Sequence, residues 1–386
     1  MQDIKQEEEK LIYADNAATT RLRKEALEAM LPYFTEQYGN ASTLYHLGRQ
    51  AHRALEQARK TVANGIGAGP MELCFTSGGT ESDNWAVRGT MYRLKKQGKT
   101  HLITSAIEHH AVLHSAERLE KEGFSVTCLP VTEEGVVRPE NLLAAIRPET
   151  GLVSVMYANN ETGVIQPVDA LADICHKSGV LFHTDAVQAA GILPIDVKRQ
   201  KIDLLSMSAH KFGGPKGIGA LYIRRGALPE NLLEGGGQER GHRSGTENVA
   251  SAVGMAAAFS CALQEMEEKA ARLRRMRDAL EKLLLELPGS QVNGGGAERL
   301  PGTLNISFAG VDGQSLLLNL DLLGVAASSG SACNSGSMTP SHVLLAMGVP
   351  YRTAHGSLRL SFGSENREKE IPVIAEAVRT ALARLA

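Results

Sequence analysis

The chain has 386 residues, more than one hydrophobic core usually serves, so a large domain with a smaller companion is expected. Its 41 Lys and Arg nearly balance 43 Asp and Glu, for a net charge of -2, and like charges do not run together beyond QEEEK near the start. This argues against nucleic acid or an anionic membrane as the main partner. No stretch is apolar enough to span a bilayer, and MQDIKQEEEK lacks the apolar centre of a signal peptide, so a cytoplasmic location is expected. The cysteines, Cys74, Cys128, Cys175, Cys261 and Cys333, show no C-x-x-C spacing, which points to neither a zinc site nor a disulfide framework.

In chain order, residues 11–20 predict a short strand entering a polar turn, and 23–38 and 49–63 carry helical patterns. ELCFT at 72–76 predicts a strand, SGGT a turn, and the residues up to Gly98 a helix. A strand, glycine turn and helix N-terminus together offer an anion site. The first N–H groups of the helix and the Ser77 and Thr80 hydroxyls would face a phosphate. The same glycines also fit an unliganded turn, and the motif lacks the lysine of a nucleotide P-loop. Strands follow at 101–104, 125–130, 151–157, 180–183, 202–207 and 218–223, with helices at 111–121, 139–146 and 168–177. This alternation predicts an α/β fold with a mostly parallel seven-stranded sheet sandwiched by helices and with ligands at the strand C-terminal ends.

The stretch SMSAHKFGGPKGIG places Lys211 where the 202–207 strand runs out into glycines. Desolvation there would lower the ammonium's pKa and favour a neutral, nucleophilic amine; the alternative is a solvated turn lysine. The other polar clusters fall at strand ends too: SGGT, EHH at 108–110, NNETG at 159–163 and HTDAVQ at 183–188. Asp185 would be costly if buried without compensation, or it caps a helix. For His110 a solvated helix start is expected. Beyond the glycine-rich 234–245 region, a long helical region at 248–287 opens a second α/β layer, with elements at 304–308, 314–323, 325–328, 342–347, 357–362 and 368–385. The expected division is 22–250 for the large domain and 251–386 with 1–21 for the small one.

The segment SSGSACNSGS surrounds Cys333 with small polar residues, buries little apolar area, and is expected to form a mobile, exposed loop at 328–338. The other four cysteines fall in predicted strands or helices and are expected to be buried and inert.

The motifs SGGTESDN, EHHAV, NNETG, HTDAVQ, SAHKFGGPKG, ERGHRSGTENV and SSGSAC, bracketed by YADNAATT and RLSFG, occur in the order found in the cysteine desulfurases. The chain resembles that family, pyridoxal-phosphate enzymes of fold type I related to class V aminotransferases, and in particular its nitrogen-fixation and iron–sulfur-cluster branch. The resemblance implies that Lys211 binds pyridoxal phosphate covalently, that Asp185 pairs with its ring nitrogen, and that Gln188 and Asn160 hold its phenolic oxygen and surroundings. It also implies a phosphate cradle of Gly79, Thr80, Ser208 and His210, with Thr246 supplied by the other subunit of a homodimer. His109 matches the histidine that stacks on the ring and moves protons on the substrate thiol, and Arg359 matches the arginine that grips the carboxylate of L-cysteine. Cys333 would take the sulfur as a persulfide, L-alanine would be released, and the sulfur would pass to an acceptor protein for iron–sulfur assembly or thiolation. Asn334 departs from the Thr or Ser common after the cysteine. A class V aminotransferase, a selenocysteine lyase and a non-catalytic sulfur-relay scaffold are the competing readings.

Overall fold

The structure, a computed structural model, describes residues 11–329 and 340–385. The described chain opens on a two-residue strand, β1 (Ile12–Tyr13), and then lays down β2 (Leu73–Thr76), β3 (His101–Ser105), β4 (Ser125–Leu129), β5 (Thr150–Ser154), β6 (Leu181–Asp185), β7 (Leu204–Ser208) and β8 (Gly219–Ile223). These seven later strands form one sheet in the order β2-β8-β7-β6-β5-β3-β4. Only β8 runs against its neighbours, β7 and β2; all other pairings are parallel.

Helices cover both faces, so the central strands are buried throughout and successive residues feed opposite cores. On β7, Leu204 packs with Trp85, Met91 and Leu221 on one side, while Leu205 and Met207 join Val62, Phe182 and Phe259 on the other. β4 is the outer strand at one edge, and there Cys128 is exposed rather than buried. Cys74 and Cys175 are buried as expected, and Cys261 is half-buried.

The last third adds β9 (Ser290–Val292), β10 (Thr303–Phe308), β11 (Val325–Ala326) and β12 (Ser357–Ser361). β10 lies between β9 and β12 in an antiparallel sheet, and β1 pairs in parallel with β11. A second core, including Ala14, Leu304, Leu358 and Ile374, forms around these strands. The helical region expected at 248–287 is two helices, Val249–Gln264 and Met266–Leu284, bent by 70°. Met255 and Phe259 on the first join the core of the large sheet, whereas Leu273 and Met276 on the second join the other core. The change of core therefore comes at this bend, while the division expected at 250/251 falls at the start of the first helix. Among the described residues, no single helix is long and apolar enough to cross a membrane.

Candidate functional site

The C-terminal ends of the large sheet surround a cavity of about 320 Å³, lined by Gly79, Thr80, His109, Asn160, Asp185, Gln188, Ser208, His210, Lys211 and Arg359. Each arrives by a short route. β6 ends on Asp185 itself, and β7 ends on Ser208 before a single 3₁₀ turn, Ala209–Lys211, delivers the lysine. After β2, a turn leads straight into the helical segment Gly79–Asn84. A Cβ at Gly79 would lie 2.6 Å from Val187 Cγ2, so the turn can close against the loop after β6 only because it carries no side chain. His109 is the N-cap of the helix His110–Lys121: its Nδ1 accepts a bond from Ala111 N at 3.1 Å, which leaves the proton of the neutral ring on Nε2.

Backbone from the segment between β1 and the first helix forms the cavity's floor. Lys211 Nζ donates to Ala17 O at 2.5 Å and Ala18 O at 2.9 Å, and Gln188 Nε2 donates to Ala17 O at 3.0 Å. His210 Nδ1 meets Thr19 Oγ1 at 3.1 Å, and burial, reinforced by Lys211 and Lys216, pushes its pKa down to about 4. Its ring is therefore neutral at pH 7. Burial raises the Asp185 carboxyl, while His109, the Val187 N–H at 2.9 Å and Lys211 favour its anion.

The opposite wall comes from the second core. Arg359, on β12 and 3 % exposed, donates through Nη2 to Asp15 Oδ1 at 2.8 Å and through Nη1 to Asn160 O at 2.9 Å; its Nε has no partner among the described residues. The residues flanking the predicted cysteine loop are tied to this wall. Ser328 and Arg359 exchange backbone bonds at 3.2 and 2.6 Å. On the far side of the loop, Ser341 Oγ bonds Glu161 of NNETG, and His342 Nε2 lies 3.0 Å from Glu108 O.

Of the expected site residues, Thr246 is not in the cavity but exposed on the loop after Gly241, and Cys333 lies outside the described residues. His110, expected to be a solvated helix start, is half-buried: its ring sits 5.0 Å from that of His114 and 4.8 Å from that of His342, and its Nδ1 lacks a partner among the described residues. The loop carrying Thr246 is braced from below. Arg59, buried in the helix His46–Asn64, pairs with buried Glu239 at 2.5 Å, and Arg243 grips Glu81 at 2.7 and 3.0 Å. A larger cavity, about 570 Å³, lies between this loop and that helix and contains none of the expected site residues.

Asp15, Asp83, Glu108 and Glu161 emerge only in three dimensions. Asp83 also lines the main cavity, and Glu108, fully buried and accepting from Ser105 Oγ at 2.5 Å and Met156 N at 3.0 Å, has its pKa pushed up to about 8 by burial. Asp15 and Glu161 sit inside recognisable motifs, which was a signal of sorts. Asp83 lies within SGGTESDN and Glu108 within EHHAV, but neither position stood out, since an aspartate early in a helix ordinarily faces water.

The family model for aminotransferase class V matches residues 12–374. Over 371 residues the chain is 51% identical to the cysteine desulfurase IscS of Methanosarcina thermophila, covering 96% of this chain and 92% of that protein. A solved NIFS-like protein superposes with a TM-score of 0.91 at 39% identity, covering 97% of this chain and all of the other. A second structure, SspA in complex with cysteine, superposes at 0.81 with 37% identity, covering 91% and 98%.

Proposed function

We propose, on the premise that the chain belongs to the aminotransferase class-V family and is a pyridoxal-phosphate-dependent cysteine desulfurase, that the cavity at the strand ends is its active site and that Cys333 receives the sulfur. The observation that carries this reading is the convergence of Lys211, Asp185, His109 and Arg359 on one cavity, although they come from both cores and lie up to 250 residues apart, from 109 to 359.

The donor set fits a phosphorylated pyridine aldehyde. Lys211 supplies the amine, Asp185 a carboxylate for the ring nitrogen, and Gln188 and Asn160 polar groups beside the ring. Gly79, Thr80, Ser208 and neutral His210 form the phosphate cradle, with Thr246 completing the cradle of a second copy. Bound pyridoxal phosphate supplies an electron sink for charge released at the substrate Cα. The chain's own residues do the rest. Arg359 binds the carboxylate of L-cysteine and orients it, the Lys211 amine takes and returns the Cα proton, and His109 moves a proton at the substrate thiol. The Cys333 thiolate attacks the substrate sulfur, the persulfide S–S bond forms as the Cβ–S bond breaks with its electron pair left on carbon, and the carbon skeleton, protonated at Cβ, leaves as L-alanine. A sulfur-acceptor protein, for iron–sulfur assembly or thiolation, then takes the persulfide sulfur in the cytoplasm.

Cys333→Ala should retain bound cofactor, seen by its visible absorption, yet form no alanine or sulfide from cysteine; desulfuration at the wild-type rate would overturn the assignment. The homodimer has its own test. Mixed Thr246→Ala and Lys211→Ala subunits should recover activity in the hybrid, because one of its two sites would then be intact.

A further inference from the structure

We propose that Glu81 and Arg243 are a positioning pair that ties the phosphate cradle of one subunit to the placement of Thr246 in the cradle of the other, so that loss of either side chain is felt in the partner's site. This rests on the reading of Thr246 given above. Arg243 lies three residues before Thr246, and its guanidinium forks onto Glu81, Nε donating to Oε1 at 2.7 Å and Nη2 to Oε2 at 3.0 Å. Glu81 stands in the first turn of the helical segment Gly79–Asn84, where its Oε2 also accepts from Ser77 N at 2.7 Å. One carboxylate therefore holds both the SGGT turn of its own subunit and the stem of the loop that reaches Thr246.

The rest of the loop is stitched to the strand that feeds that turn. β2 is at the edge of its sheet, and side chains bond the backbone there. Glu239 Oε2 accepts from Phe75 N at 3.1 Å, while Arg240 Nη2 and Arg59 Nη1 donate to Leu73 O at 2.6 and 3.0 Å. Glu239 is held in turn by the buried Arg59 fork, at 2.5 and 2.9 Å. Glu239 and Arg240 have φ of 46° and 61°, a left-handed region that residues other than glycine keep only where their surroundings over-determine it. Just before Thr246, Ser244 Oγ donates to Gly236 O at 2.8 Å and Gly245 N to Gln238 Oε1 at 3.1 Å. Just after it, Asn248 caps the helix Val249–Gln264 by accepting from Ser251 N at 3.1 Å. Thr246 is thus an exposed residue between two fixed points, as a side chain offered outward at a set place must be.

The charge of Glu81 gives the pair a sign that can be read. A carboxylate in the first turn of the segment proposed to cradle a phosphate repels that phosphate. As a local aid to binding, Glu81 is therefore a poor choice. As the receptor for Arg243 it is a good one, since a two-pronged guanidinium on a largely buried carboxylate, with side chains 23% and 18% exposed, is both strong and directional. Replacing Glu81 by glutamine relieves a repulsion in its own subunit and loosens Thr246 in the other. The two sites should therefore respond differently to one substitution.

Hybrid dimers with Lys211→Ala in one subunit provide the test, because the cradle that keeps Lys211 is then served by Thr246 of the Lys211→Ala subunit. The hybrid is titrated with pyridoxal phosphate, and the cofactor fixed to Lys211 by borohydride reduction is measured. Glu81→Gln or Arg243→Ala in the Lys211→Ala subunit should raise the half-saturating concentration about tenfold, whereas Glu81→Gln in the Lys211-bearing subunit should not raise it. Adding Glu81→Gln to Thr246→Ala in the Lys211→Ala subunit should cost nothing further, since the pair acts through that threonine. Equal or greater weakening with Glu81→Gln in the Lys211-bearing subunit, or additivity with Thr246→Ala, overturns the proposal. If Thr246→Ala in the Lys211→Ala subunit weakens binding while Glu81→Gln and Arg243→Ala there do not, the pair fails and the reading of Thr246 stands. If Thr246→Ala there has no effect, that reading fails and the proposal falls with it.

Discussion

The two walls of the cavity are built on different physics. On the sheet side, Asp185, Ser208 and Lys211 follow directly from strands whose neighbours are buried on both faces, so their positions are set by packed apolar area. On the Arg359 side the joint is polar: Arg359 to Asp15 and Asn160, Asn305 Nδ2 to Glu161 O at 3.1 Å, and Ala17 N to Ser361 Oγ at 2.8 Å. Such bonds are directional and contribute about 1 kcal/mol each, or about 1.5–3 when charged. The wall proposed to hold the cofactor therefore tolerates loss of a single side chain, whereas the wall proposed to grip the substrate depends on a few.

Lys211→Ala should show the largest effect. Cysteine-to-alanine turnover should fall by a factor of about 10²–10⁴ or more, while the urea midpoint of unfolding barely moves; a large loss of stability would break the contrast between the walls. Arg359→Lys comes next. A lysine cannot span Asp15 and the Asn160 carbonyl with a planar fork, so kcat/KM for L-cysteine should drop about 10- to 100-fold, corresponding to the 1.5–3 kcal/mol of charged hydrogen bonds. Its cofactor absorption should be that of wild type.

Gly219→Ala probes the sheet wall through its backbone. A Cβ there would lie 2.4 Å from Met207 O and 2.7 Å from the Gly78 backbone. Unfolding should show a loss of about 1–3 kcal/mol, typical of overpacking, accompanied by weaker cofactor retention. The smallest effect sharpens the picture of buried acids behind that wall. Because Glu108 is raised from 4.5 to about 8 in the fold, the protonated folded form is favoured. Its contribution is complete below about 4.5 and is lost as the pH rises through about 8. Denaturant curves between pH 5 and 8 should therefore fall less steeply for Glu108→Gln than for wild type.

Much of this was legible in the sequence because strand ends and glycine turns leave local marks. SGGT, HTDAVQ and SAHKFGG each pair an apolar run with a polar break, and all three reach the cavity. What escaped depends on partners distant in the chain. Nothing local distinguishes Cys128 on an edge strand from a cysteine on a central one. The 70° bend after Gln264 follows from one helix serving the first core and the next serving the second, which no window of the sequence displays. Asp83 reads as a polar helical residue until Asp185 and His183 arrive beside it from β6. β9, at three residues, is too short to show a period.

The reversal of β8 has a further consequence. A parallel strand after β7 would have required a long crossover, typically helical, and would have placed Lys211 at the start of a wide excursion. Running backwards instead, β8 returns after a short connection, with Ala209 N bonded to Ile218 O at 3.1 Å at its neck. The lysine thus stands on a clamped arch with both feet fixed in the sheet. Its reach is set by its own four-carbon stem, a tolerance fine enough for the role proposed for it, meeting the cofactor's carbonyl carbon again at the end of each cycle.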